Sequence, residues 1–206
     1  MGRYTGPKDR LSRREGVNLM LKGARSESGK LERRMYPPGM HNWRRRRLSD
    51  YGVRLREKQK VKRYYGVRDK QFLRYFRQAE RARGGTGEVL LSLLERRLDN
   101  VVYKLGFAES RPAARQTVAH GHIYLNGHRC NVSSALVDVG DRLSVKPSDR
   151  SRNLIRRRLE ELGEPHVQDW LRLDMPKLEA EVVALPSRED VMLPVEELLI
   201  VEFCGR

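Results

Sequence analysis

The stretch from Arg97 to Val145 restricts the folds open to this chain more than any other. Leu90, Leu94, Leu98, Val101 and Leu105 recur at helical spacing, so the helix that starts at Thr86 runs on through Arg97, and Gly106 follows as its stop. Ser110 can cap a second helix, with Pro112 tolerated in the first turn. On that helix Ala114 and Val118 share one face, and Arg111 and Arg115 share another. Gly121 ends it. Ile123 and Leu125 then alternate with Tyr124 as a short strand, and Asn126-Gly127 is a strong hairpin signal. Cys130 and Val132 continue the return strand, with Cys130 turned inward as a small buried hydrophobe. Val137, Val139, Leu143 and Val145 extend the period-two pattern around a Gly140-Asp141 turn. Two short helices thus lead into a hairpin, with arginines and histidines gathered at the junction.

Charge sets the class of partner. The chain carries a net charge of +16 with 34% charged residues, which points to a polyanion. The charge is uneven. Residues 1–85 hold 26 basic and 8 acidic side chains, residues 96–158 hold 13 and 5, and residues 159–206 hold 4 and 12. The first two regions should face nucleic acid, and the acidic end should face solvent or a basic protein neighbour. No apolar run approaches the roughly 20 residues that span a bilayer, and the N-terminus lacks the apolar centre of a signal peptide. Cys130 and Cys204 cannot make a disulfide framework, so the chain reads as intracellular.

Along the chain, residues 1–47 are rich in Arg, Gly and Ser. Such an arm cannot bury enough apolar surface to fold firmly by itself, and is expected to order on a partner. Ser49 or Asp50 can cap a basic helix that runs to about Tyr64, and Gly66 breaks it. Asp69 can cap the next, where Phe72, Phe76 and Ala79 form a core stripe while Arg74, Arg77, Arg81 and Arg83 point elsewhere. Leu154, Ile155, Leu159 and Leu162 give a later helix. Trp170 to Leu173 and Ala180 to Leu185 read as strands, and the apolar run Leu198 to Phe203 should pack back on the helical part.

The string Arg111-x-x-Ala114-Arg115-Gln116-x-Val118-x-x-Gly121-His122-Ile123-x-x-Asn126-Gly127 resembles the RNA-binding domain named after the small-subunit ribosomal protein S-four. Arg3-Tyr4-x-Gly6-Pro7, Leu48-Ser49-Asp50-Tyr51-Gly52, Tyr65-Gly66-Val67 and Leu199-Ile200-Val201-Glu202-Phe203 extend the likeness to nearly the whole chain, which is similar to the bacterial-type S-four ribosomal family. The resemblance implies an α+β fold: a basic N-terminal arm over residues 1–47, a helical domain from 48–95 with about 191–206, and an RNA-binding domain over 96–190. That last domain would hold a two-helix alpha-L motif and a small antiparallel sheet. It also implies a structural component of the small ribosomal subunit, in the cytoplasm or in a plastid. Such a protein binds small-subunit ribosomal RNA directly as a primary assembly protein and helps nucleate assembly. It acts on translational accuracy with a neighbouring ribosomal protein near the path by which messenger RNA enters. The expected partners are this RNA, neighbouring small-subunit proteins and messenger RNA, with no membrane.

The residues assigned to RNA contact are, in the arm, Arg3, Arg13, Arg14, Arg44, Arg45, Arg46 and Arg47. In the helical part they are Lys58, Lys60, Lys62, Arg63, Arg68, Lys70 and Arg83. In the RNA-binding domain they are Arg111, Arg115, Gln116, His120, His122, Asn126, Lys146, Arg150 and Arg152. A lone basic helix would be a solvated face; several together, interleaved with Trp43, Tyr51, Tyr64, Tyr65 and Tyr75, favour nucleic acid, although each aromatic by itself reads as core. His120, His122, His128 and Cys130 do not have the spacing of the usual zinc fingers, and RNA contact or turn packing accounts better for the histidines. Some family members carry four zinc-binding cysteines in the arm. Here Asp9, Ser12, Ser26 and the Lys30-Leu31 neighbourhood stand in their places, so no cofactor or metal is expected. The rival class is an enzyme, because the same module occurs on pseudouridine synthases and Arg97-Leu98-Asp99 resembles a catalytic string. The chain lacks a separate catalytic domain and a phosphate-cradling glycine loop, and Asp99 reads as a helix-surface ion-pair partner.

Overall fold

The computed structural model describes residues 4–23, 34, 36–40, 47–163 and 167–205. Arg3, Trp43, Arg44, Arg45 and Arg46 lie outside the described residues. The chain divides into two compact units, residues 1–90 with 192–206, and residues 91–191.

The first unit holds α1 (Lys8–Glu15), α2 (Asp50–Tyr64), α3 (Asp69–Arg81), the start of α4 (Thr86–Glu95) and α8 (Glu197–Cys204). The Ser49 hydroxyl accepts from the Gly52 N–H at 3.2 Å, which fixes the start of α2 as its sequence predicts. Gly66, at φ 62°, turns the chain out of the helix in a conformation that disfavours any residue with a Cβ. Asp69 does not cap α3. It is the first helical residue, and its carboxylate takes Lys58 at 3.2 Å and Lys62 at 3.3 Å instead. Phe72, Tyr75, Phe76 and Ala79 are buried along one side of α3. The last apolar run forms α8, which does pack back on α2: the Tyr51 and Phe203 rings lie 5.3 Å apart, and Arg54 meets Glu202 at 2.6 Å.

The arm departs from expectation. Its apolar content is low, but what it has is concentrated: Leu19 and Leu21 are buried, with Ser12 beside them accepting from the Leu19 N–H at 3.3 Å. Glu15, its side chain wholly enclosed, ion-pairs with Arg63 and with Arg56 on α2. Burial pushes the Glu15 carboxyl above its usual range, against the pull of Arg63 and Arg56. Residues 8–23 of the arm are thus a packed element of the first unit. Deleting residues 1–47 is therefore expected to destabilise that unit by about 2–3 kcal/mol, the order of burying two leucines less the ordering cost. Thermal melting checks this, and an unchanged melting temperature would show that α1 adds nothing.

The second unit holds α5 (Leu98–Lys104), α6 (Arg111–Ala119), β1 (Ile123–Leu125), β2 (His128–Arg129), β3 (Arg142–Val145), α7 (Asp149–Leu162), β4 (Leu171–Asp174) and β5 (Glu179–Val182). The expected single helix through Arg97 is broken there. Arg97 is extended (φ −65°, ψ 135°) and bridges to Leu136. The Leu98 N–H donates to Ala135 at 2.8 Å, and the Arg96 carbonyl accepts from Val137 at 3.0 Å. Two separate helices result because this backbone pairs with a later loop. The return strand β2 ends at Arg129; the Cys130 N–H still donates to the Ile123 carbonyl at 3.1 Å, but Val132 does not extend the strand. Cys130 is half-buried and Val132 is exposed. Likewise β5 stops at Val182, and Leu185 is exposed.

Asn126 and Gly127 both adopt positive φ, 51° and 80°, and close the β1–β2 hairpin. The sheet is antiparallel throughout, in the order β2-β1-β3-β5-β4. Leu143 and Val145 point inward from β3 and meet Leu98, Val102, Phe107, Ala114, Val118, Ile123 and Ile155 in the core of this unit. The core therefore clamps α5 and α6 against the sheet and fixes the α6–β1 junction.

Candidate nucleic-acid interface

The junction rests on a buried polar scaffold. Asn100, fully enclosed, donates to the Glu95 carboxylate at 2.6 Å and to the Glu95 carbonyl at 3.0 Å, and its own oxygen accepts from Arg111 Nε at 2.8 Å. Arg111 also lies over the Tyr103 ring at 4.5 Å. Arg111 is thus buried, and does not share an exposed polar face with Arg115 as its helical spacing suggested. Arg115 is one-third exposed and donates to Asp99 through Nε at 3.1 Å and Nη2 at 2.8 Å. Asp99 is an ion-pair partner as expected, but an interior one, because Arg97 holds the same carboxylate from the other side at 2.7 Å. Burial pushes the Lys104 ammonium below its usual range, against the nearby Glu95 carboxylate.

Above this scaffold lie exposed groups. Gln116 and His120 project from the end of α6, and Arg150 and Arg152 from the start of α7. His122 joins the two elements: its Nδ1 lies 2.9 Å from the Ser151 hydroxyl, and its carbonyl accepts from the Lys146 N–H at 2.8 Å. Gly121, at φ 72°, sits under the Arg129 guanidinium, so near that a Cβ there would lie 2.2 Å from Arg129 Nε. The Asn126 amide is committed to the sheet, donating to Asp141 at 2.8 Å and accepting from the Arg142 N–H at 2.9 Å.

Burial first, and then the charges of His120, Arg158, Lys146 and Arg150, hold the His122 imidazole below its ordinary range. A depressed folded value favours the neutral ring. As the pH falls below about 6.5, the unfolded chain takes up its proton first, so this contribution to stability should fade. Polyanion binding should reverse the sign, because phosphates favour the charged ring. Affinity for RNA is then expected to rise as the pH falls, by at most about tenfold per pH unit for one proton. Melting and binding measured between pH 8 and pH 6, flattened in both cases by His122→Gln, check this.

In the first unit the predicted residues divide. Lys58 and Lys62 pair with Asp69, Lys60 pairs with Glu57 at 2.5 Å, and Arg63 pairs with Glu15. Each of these cations is held by a carboxylate of the chain, Lys58 and Lys62 by the same one. Arg13 donates to the Tyr36 carbonyl at 3.1 Å and lies over its ring. Arg14, Arg47, Arg68, Lys70 and Arg83 are exposed. Sequence reasoning passed over Arg156 and Arg157, which are exposed on α7; Arg156 follows Arg152 at helical spacing, and that signal could have found it. Tyr64, Tyr65 and Tyr75 are core residues, as expected of each singly, while Tyr51 is exposed against Phe203. Among the described residues, no group of three or more His, Cys, Asp or Glu is placed to hold a metal ion. No described helix is long and apolar enough to cross a membrane.

Residues 3–95 match the profile of the ribosomal protein S4/S9 N-terminal domain, and residues 96–143 match the S4 domain. The chain is 54% identical to the small ribosomal subunit protein uS4 of a Thermoanaerobacter species, over the full length of both. It is 53% identical to the protein of that name from Thermus thermophilus and 52% identical to that of Herpetosiphon aurantiacus, again with both chains fully covered. With both halves matched in order and full-length relatives at this identity, the chain belongs to the uS4 family of small ribosomal subunit proteins.

Proposed function

We propose that this protein is a structural component of the small ribosomal subunit that binds its ribosomal RNA directly, without the help of other proteins. The observation that carries this reading is the cluster of Arg115, Gln116, His120, His122, Lys146, Arg150 and Arg152. It is mounted on a buried scaffold that fixes the α6–β1 junction. A rigid mount lowers the entropy cost of docking charged side chains on a polyanion. The exposed members supply phosphate contacts, and the scaffold supplies their register. Arg3, Arg14 and Arg44 to Arg47 add contacts from the arm. The reading is one of binding and not of catalysis, and the placement of Asp99 supports it: its carboxylate is buried and held by the Arg97 and Arg115 guanidinium groups. Early direct binding would let it nucleate subunit assembly, and the acidic residues of 159–206 would meet a basic neighbour. Action on messenger RNA and on translational accuracy completes the proposal.

Binding of the purified chain to a small-subunit ribosomal RNA transcript, alone, tests the reading. Arg150→Ala with Arg152→Ala, both exposed at the start of α7, should weaken binding and lower the salt slope by about two units with the fold intact. Arg111→Ala should instead cost fold stability. No binding to the transcript by the purified protein would overturn direct recognition.

A further inference from the structure

Helix α3 carries four cations that pair with no carboxylate among the described residues. Lys70, Arg74, Arg77 and Arg81 follow one another at four, three and four residues, which places them on a single stripe. The stripe runs opposite the buried Phe72, Tyr75, Phe76 and Ala79. It extends about 16 Å along the helix, at about 1.5 Å of rise per residue. With Leu73 and Gln78 these four side chains line an open depression. None of the four makes an ion pair among the described residues, and Glu80 on the same helix pairs with none of them. The neighbouring helix α2 is the contrast, since Arg54, Arg56, Lys58, Lys60, Lys62 and Arg63 all meet carboxylates of this chain. On α2 every cation is held by a carboxylate, with Asp69 shared by Lys58 and Lys62 and Glu15 shared by Arg56 and Arg63. On α3 the cations lie off the core stripe, as the residue pattern predicts, and meet no carboxylate among the described residues.

We infer that the α3 stripe is a second RNA-contacting surface, and that it takes the phosphate backbone of an RNA duplex. This rests on the RNA-binding reading proposed above. Three features select duplex over single strand. Surfaces for single strands pair a basic groove with aromatic platforms, and every aromatic side chain of α3 is buried. A straight, rigid row of cations suits the regular phosphate spacing of a helical backbone. Guanidinium forks bind phosphate oxygens in pairs, and the Gln78 amide can both donate to and accept from a ribose 2′-hydroxyl, which duplex RNA displays in its shallow groove. Contact of this kind carries no base sequence.

The test compares the full chain with a variant carrying Arg74→Gln, Arg77→Gln and Arg81→Gln. All three side chains are exposed, so melting should be unchanged, and circular dichroism checks that. Binding is measured over a salt series to the small-subunit ribosomal RNA, to a blunt RNA duplex and to a single-stranded oligonucleotide of the same composition. The expected result is a salt slope lower by about 2–3 units on the ribosomal RNA and the duplex, with affinity down about tenfold or more, and little change on the single strand. Equal slopes for both proteins would overturn the proposal, as would a loss confined to the single strand. Unchanged RNA binding with lost incorporation into small subunits would give the stripe to a protein neighbour and also overturn it. Failure of the unaltered chain to bind any of the three RNAs would instead be a failure of the RNA-binding reading itself.

Discussion

The affinity of this protein for small-subunit ribosomal RNA is expected to fall by about 10³-fold or more between about 50 mM and about 200 mM salt. The expectation follows from where the cations lie. Residues 1–85 and 96–158 carry 39 basic and 13 acidic side chains, and the acidic residues of 159–206 do not change that local excess. Ion pairs remove Lys58, Lys60, Lys62 and Arg63 from the count. The exposed residues of α3 and α7 remain: Lys70, Arg74, Arg77, Arg81, Arg150, Arg152, Arg156 and Arg157, with half-exposed Lys146. About 6–10 phosphate contacts are enough for the stated loss, each releasing condensed counterions on binding. A salt titration that stayed nearly flat would mean that these side chains do not meet phosphate.

The largest stability effect is expected at Asn100. Asn100→Ala should destabilise the unit of residues 91–191 by about 3–5 kcal/mol. Its side chain is the only neutral member of a buried line that includes the Glu95 carboxylate and the Arg111 guanidinium, and it bonds to both. An amide can do this because it donates at one end and accepts at the other. Alanine leaves both charged neighbours short of a bond in a low-dielectric interior, where unmet charge is costly. Asn100→Asp should be at least as harmful near neutral pH, because a second carboxylate would face Glu95 at the 2.6 Å contact. Urea unfolding of the purified variants checks both. A loss below about 1 kcal/mol for Asn100→Ala would show that water or side-chain rearrangement replaces the amide.

What was legible in the chain was local. The Ser49 and Ser110 caps, the Asn126-Gly127 turn and the hydrophobic stripe of α3 each depend on residues within one or two turns, so spacing alone reveals them. The interruption at Arg97 depends on Leu136, which is remote in sequence and leaves no trace in the helical period of Leu94, Leu98 and Val101. The same distance hid the state of the cations. Arg54 is neutralised by Glu202, and Arg63 by Glu15, and neither partner can be read from the basic run on α2. Helical spacing put Arg111 and Arg115 on one face, yet burial separates them: Arg111 lies against Tyr103 and Asn100, and Arg115 reaches the surface. The packing of the arm is not legible in its mean composition, which is polar, because Leu19, Leu21 and Glu15 bring its few burying groups to one place.

A crosslinking map of the protein on small-subunit ribosomal RNA is the decisive measurement. The expected result is crosslinks from three peptides, those spanning Arg115 to His122, Arg150 to Arg157 and Lys70 to Arg81, each falling in a defined region of the folded RNA. Crosslinks scattered along the RNA with no preferred region, or arising only from the acidic residues beyond 159, would contradict it.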